Sequence, residues 1–179
     1  MVGGRQKEKQ ICRWCDCRRF TREDRKKKRA SKERKRTYFY ASQTAENREA
    51  SKLIECVVEG AKTEETAARL SKAVITSTMV KAAIFGSDAN WGRILCAIGC
   101  EGSEFDPNKI DIIFESKKGY IEVCKDGEPL KFNEKKARSI LEDDEITIIV
   151  DLQMGDARAN AWGCDLTYEY VRINGSYRS

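Results

Sequence analysis

The 179-residue chain has room for one ordinary domain. It contains no apolar run near the roughly 20 residues needed to span a bilayer and no signal-peptide core, so a soluble, cytoplasmic protein with no membrane partner is expected. With no histidine anywhere, Ser-His and Cys-His catalysis and any imidazole metal site are excluded within the chain.

Charge divides the molecule. Residues 1–36 hold 16 Lys and Arg against 5 Asp and Glu, a net of +11, whereas the whole chain is +5 and residues 37–179 therefore carry −6. The basic segment, with Arg25-Lys26-Lys27-Lys28-Arg29 and Arg34-Lys35-Arg36, has almost no aliphatic residue but Ile11. It cannot bury enough surface to offset ordering its backbone, so a disordered or frayed-helical stretch is expected over residues 1–45. Clustered cations would suit a nucleic-acid arm, but no aromatic platform is interleaved with them. Cys12 and Cys15 have a zinc-like gap, yet no second pair follows at matching spacing, so no metal site is expected. Five further cysteines (56, 96, 100, 124 and 164) are scattered singly among apolar residues, as reduced thiols are.

From about residue 50 the texture is that of a folded domain. Lys52 to Glu59, ending at Gly60, reads as a largely buried strand. Thr63 is a plausible N-cap for a helix with Glu64 and Glu65 in its first turn and Ala67, Leu70, Ala73 and Val74 on one face. The apolar run Val80 to Phe85 is read as a strand that breaks at Gly86. A polar loop follows, in which Asp88 and Asn90 can cap a helix carrying Ile94, Leu95 and Ile98. Such a junction can face an anion; the plainer reading makes Trp91 a packing anchor and Arg93 a surface cation.

Strands are expected at Ile110 to Glu115 and Tyr120 to Cys124, then a turn at Asp126-Gly127-Glu128-Pro129 and a short helix from Asn133 to Leu141. Ile146, Ile148, Val150 and Leu152 alternate along a strand, for which Asn160 to Ile173 is the expected partner. This order of elements indicates an α/β domain packed in layers.

Several blocks occur in order: Ala83-Ile84-Phe85-Gly86, Asn90-Trp91-Gly92-Arg93-Ile94, Phe105-Asp106, Gly127-Glu128-Pro129-Leu130 and Ala161-Trp162-Gly163-Cys164-Asp165-Leu166-Thr167-Tyr168. Together they resemble the C-terminal, β-subunit part of the bifunctional ornithine acetyltransferase/glutamate N-acetyltransferase family of arginine biosynthesis. The likeness runs from about residue 50 to the end, and the domain is placed at 46–179.

The resemblance implies an α+β layered sandwich. It also implies transfer of an acetyl group from N-acetylornithine to an enzyme threonine and then to glutamate, with no cofactor and with acetyl-CoA as an alternative donor in the family. That threonine is freed as an N-terminus by self-cleavage, and its α-amine serves as base, so no histidine is needed. Its cleavage segment has no counterpart in residues 1–50, so no catalytic residue is expected in this chain, which reads as an inactive fragment of a hetero-oligomeric enzyme lacking its N-terminal half or α subunit.

Substrate binding is implied for Asn174 and Ser179. The family's substrate-contacting glutamate aligns with Arg48, so Glu49 can serve only through a one-residue slip that turns the side chain to the opposite face. Thr78-Met79 replaces the family's Pro-Leu, and Arg158 and Asn160 stand where small or hydroxylated residues are usual. Residues 1–45 read as a frameshifted or aberrant extension. The rival readings are a non-enzymatic nucleic-acid-binding protein working through residues 5–36 and a small structural partner of a separately encoded N-terminal half.

Overall fold

The computed structural model describes residues 50–176. The expectations for residues 1–45, including the zinc-like cysteine spacing and the basic arm, lie outside the described residues, as do Arg48, Glu49 and Ser179.

Among the described residues the architecture is mixed α/β: five α-helices, one turn of 3-10 helix at Pro107–Lys109 and a six-stranded sheet of order β4-β3-β2-β5-β1-β6. In chain order the elements are β1 (Leu53–Ala61), α1 (Glu64–Thr76), α2 (Thr78–Phe85), α3 (Trp91–Glu101), β2 (Asp111–Ser116), β3 (Gly119–Lys125), β4 (Glu128–Pro129), α4 (Glu134–Leu141), β5 (Glu145–Asp151), β6 (Ala157–Cys164) and α5 (Tyr168–Ser176). β1 runs parallel to β5 with Leu53 opposite Glu145, and every other pairing is antiparallel.

Local chemistry sets most of these boundaries. The Thr63 hydroxyl accepts from Thr66 N–H at the start of α1, the Asn90 side chain from Arg93 N–H at α3, and the Asn133 side chain from Lys136 N–H at α4. Asp126 and Gly127 lie at φ +46° and +75° between β3 and β4, the paired positive values that a tight primed hairpin turn requires.

Two expectations fail. Val80 to Phe85 lies within a helix, α2, not a strand. In a short run whose one polar residue is Lys81, period two and period 3.6 cannot be told apart. What decides is Ser77, whose N–H donates to Ala73 and Val74 carbonyls while its hydroxyl accepts from Val80 N–H, closing α1 and opening α2 at one residue. Val80, Ala83 and Ile84 then face inward at helical spacing. Nor does β6 pair with β5. It joins β1, with Ile54 opposite Gly163, while β5 lies between β1 and β2, and the chain beyond Thr167 is the helix α5.

The core lies on one side of the sheet. Ile54, Cys56, Val58, Ile112, Phe114, Ile146, Ile148 and Val150 share one cluster with Leu70, Val74 and Ile75 of α1 and Ile140 and Leu141 of α4. α1 covers β1 and β6, α4 covers β2 and β3, and α2 and α3 stack on α1. Gly163 allows α1 to approach, since a Cβ there would stand 3.2 Å from Ile75 Cβ.

The opposite face carries Leu53, Glu55, Val57, Ile113, Thr147, Ile149, Asn160 and Trp162, mostly half-buried, and Val57 is buried outside the main cluster. Two departures from the resembled family meet there: Asn160 donates to Glu55 at 2.7 Å, and Arg158 pairs with Glu59 at 3.4 Å.

A Cβ added at Gly127 would lie 2.2 Å from the Pro107 carbonyl oxygen on top of its positive φ. Gly127→Ala should therefore destabilise the domain by at least about 2 kcal/mol, combining left-handed strain with overpacking. Urea denaturation read by far-UV circular dichroism checks this; an unchanged midpoint would show that the turn yields freely.

Candidate functional site

The chain enters the sheet at Ser51 and Lys52, and a buried carboxylate from the far end of the sequence receives it. Asp165, 2% exposed, lies just beyond β6. Its Oδ1 accepts from Ser51 N–H at 2.8 Å and Lys52 N–H at 3.1 Å, and its Oδ2 accepts from the Ser51 hydroxyl. Asp165 N–H returns a bond to the Lys52 carbonyl at 3.3 Å. Ionised carboxylates make hydrogen bonds of about twice the neutral strength, so this junction is stiff.

Lys52 is 8% exposed, and its ammonium is aimed at the end of α2. It donates to the Ile84 carbonyl at 2.7 Å, the Ser87 hydroxyl at 2.8 Å and, at longer range, the Phe85 carbonyl at 3.5 Å. The last carbonyls of a helix lack intrahelical donors and sit at the negative end of its dipole, which suits a cation. Burial still lowers the Lys52 pKa, with Asp165, Glu142 and Asp144 pulling the other way. Ser87, held at φ +53°, passes the chain of bonds on to the Leu141 carbonyl at 3.3 Å. One polar knot thus joins the start of β1, the end of β6 and the ends of α2 and α4.

Thr167, also buried, accepts from Tyr170 N–H at 3.1 Å and starts α5. Asn174 is exposed on that helix and its Nδ2 donates to the Tyr170 carbonyl at 2.9 Å. Of the expected binding residues, only Asn174 falls among those described. Its amide N–H is engaged on its own helix. The polar groups of the loop between α2 and α3 are engaged with one another and with the main chain at the surface. Asn90 donates to Asp88 at 3.0 Å, Arg93 donates to the Met79 carbonyl at 3.0 Å, and Trp91 packs against the core, so the plainer reading of this loop holds.

A cleft of about 660 Å³ opens at the other end of β1, lined by Glu59, Glu64, Asp151, Gln153, Asp156 and Arg158. Eight residues of extended chain separate Glu59 from Ser51, about 25 Å, so the cleft and the knot are separate places. Among the described residues no three Cys, Asp or Glu side chains converge to hold a metal ion.

Sequence reasoning missed the knot. Asp165 and Thr167 carried a signal, as polar residues with oxygen acceptors just ahead of a helix. Lys52 carried none, because its partners, two main-chain carbonyls and the Ser87 hydroxyl, lie some thirty residues away.

Comparison with known proteins places these elements. Residues 38–179 match the ArgJ family. The chain is 52% identical over 130 residues to the arginine biosynthesis bifunctional protein ArgJ of Caldanaerobacter subterraneus, covering 73% of this chain and 32% of that protein. It is 49% identical over 132 residues to the glutamate N-acetyltransferase of Methanocaldococcus jannaschii, covering 72% of this chain and 33% of that protein. The crystal structure of ArgJ from Bacillus halodurans superposes with a TM-score of 0.69 at 45% identity, covering 78% of this chain and 64% of that one. The chain thus spans about a third of the length of the curated relatives it matches.

Two measurements probe the knot. Asp165→Ala strands the buried Lys52 N–H together with the partly buried N–H and hydroxyl of Ser51 and should cost about 3 kcal/mol, whereas Asp165→Asn keeps an acceptor for the two main-chain N–H groups and should cost less. Equal losses in urea titrations would show that the carboxylate acts only as a charge. For Lys52 the sign follows from its lowered pKa: the unfolded chain binds the proton more tightly, so the burial penalty is present at neutral pH. That penalty lifts as pH rises through the lowered pKa toward the ordinary 10.5. Stability of the unaltered chain relative to Lys52→Met should therefore increase from pH 7 to pH 10; a flat or falling difference would contradict it.

Proposed function

The chain belongs to the ArgJ family, and we propose that it forms the C-terminal part of an acetyltransferase of arginine biosynthesis that moves an acetyl group from N-acetylornithine to glutamate. In this reading the chain supplies binding groups and scaffold. The nucleophilic threonine and the oxyanion donors come from the part of the enzyme that precedes it.

The observation that carries this reading is the one-sided sheet. Helices α1 and α4 close one face, while the other presents the half-buried Leu53, Ile113, Ile149 and Trp162 with no described helix over them. A sheet with one apolar face left open is half of a layered sandwich. The remaining half of the enzyme is its expected cover, and in that assembly the chain works as one component of a hetero-oligomer.

The knot fits the same reading. Asp165 holds Ser51 and Lys52, so the start of β1 is fixed at the end of β6. Thr167 starts the helix that carries Asn174 from the same end of the sheet. Asn174 and Ser179 remain the proposed substrate-binding pair, an amide and a hydroxyl that can each donate and accept. Glu49 is the third candidate. Acetyl-CoA is a possible second donor and no cofactor is invoked.

Expressed alone, the chain should release no N-acetylglutamate from N-acetylornithine and glutamate. A separately expressed segment that supplies the preceding half, including the threonine, should bring activity on mixing. In the active mixture Asn174→Ala should raise KM by roughly 2- to 10-fold, the equivalent of one hydrogen bond. Turnover by the isolated chain would place the nucleophile within these 179 residues and overturn the assignment.

A further inference from the structure

Five cysteines fall among the described residues, and their surroundings sort them. Cys56 is fully buried, and burial pushes its thiol far up. Cys124 is buried, and its Sγ lies 3.6 Å from the Ile110 carbonyl. Cys164 is half-buried. Cys96 and Cys100 alone are exposed, and both are free.

These two are four residues apart on α3, which Asn90 caps and which buries Ile94 and Ile98. At 100° per residue, Cys96 and Cys100 lie on the face turned away from those isoleucines, one above the other. The surface beside them is open, since a Cβ on Gly99 would meet nothing within 4 Å.

Helical spacing decides what such a pair can bind. Side chains four apart have Cβ atoms about 5–6 Å from each other, whereas a disulfide needs about 3.5–4.5 Å. Oxidation to a disulfide would therefore require breaking the helix. A metal ion between the sulfurs removes the conflict: two metal–thiolate bonds of about 2.3 Å allow a sulfur separation of up to about 4.6 Å, against about 2.0 Å in a disulfide.

The number of ligands decides which ion. The nearest carboxylate in sequence, Glu101, is engaged by Arg69 and Ser103. Together with the lack of any three-ligand group among the described residues, this leaves a two-thiolate site. Zinc requires four ligands, while soft thiolates favour monovalent copper.

We propose that Cys96 and Cys100 form a surface site for a soft monovalent cation of the Cu(I) type. Binding forms two sulfur–metal bonds and releases one proton from each thiol to solvent. The metal keeps its oxidation state, so no oxidant or reductant takes part. The site stands apart from the knot and from the acetyl-transfer reading, and its failure would leave that reading intact.

The test uses the full chain carrying Cys12→Ser, Cys15→Ser and Cys17→Ser, so that the N-terminal thiols do not compete. Under anaerobic conditions Cu(I) is supplied as its coloured bicinchoninate complex, and the loss of colour is titrated against protein. The chain should withdraw about one equivalent, and a further Cys96→Ser, Cys100→Ser or Cys100→Ala should weaken withdrawal by at least ~100-fold, because the second bond is no longer intramolecular. Zn(II), titrated against a coloured chelator, should compete poorly. A second measurement needs no variant: in the unaltered chain, loading with Cu(I) should protect Cys96 and Cys100 together from iodoacetamide, read by peptide mass spectrometry. Equal withdrawal by the single-thiol variants would mean adventitious uptake elsewhere. That result, no withdrawal by the parent, or alkylation of both cysteines at an unchanged rate would each overturn the site.

Discussion

A carboxylate beyond the last strand holds the start of the first, and much of the domain's closure depends on that contact. Asp165 accepts two main-chain N–H groups and a hydroxyl from Ser51 and Lys52, more than a hundred residues away in sequence. It thereby aligns β1 with β6, a pairing that neither strand's composition demands. Lys52, directed by the same contact, ties in the end of α2 and, through Ser87, the end of α4. Buried charge of this kind is costly to desolvate. It is tolerated here because every group has partners of opposite polarity, and removing one partner would leave the others exposed to that cost.

The second organising feature is asymmetry. A six-stranded sheet with all its main packing on one face leaves about half of its side chains facing outward, and here several of these are apolar. The face is not uniformly greasy, because Asn160 and Arg158 place a hydrogen bond and an ion pair with Glu55 and Glu59 along its β1–β6 border. In the assembly proposed for this chain, those polar pairs would constrain register with the covering half, since an apolar surface alone defines little direction. The acidic cleft at the far end of β1 belongs to neither the knot nor the apolar centre of this face.

The cysteines show how environment outweighs residue type. Thiols inside the layers behave as small hydrophobes, and burial holds them protonated. The two on the outer side of α3 differ only in their place on the helical wheel, yet that place makes them a pair.

By itself the sequence determined the elements whose signals are local: the caps at Thr63, Asn90 and Asn133, the turn at Gly127, and the alternation of Ile146, Ile148 and Val150. The ordered blocks from Ala83 to Tyr168 also carried the family. Each of these depends on contacts within a few residues, or on identities that survive as a string. Tertiary structure decided the rest. The run from Val80 to Phe85 is short and apolar but for Lys81, so only the break at Ser77 and packing on α1 made it a helix. The neighbours of β5 and β6 were invisible because pairing is settled by which faces can be buried together, not by which strands follow each other. Lys52 looked like an ordinary strand-start cation, and only the fold brought the carbonyls of Ile84 and Phe85 to its ammonium, a partnership that main-chain atoms leave no trace of in the sequence.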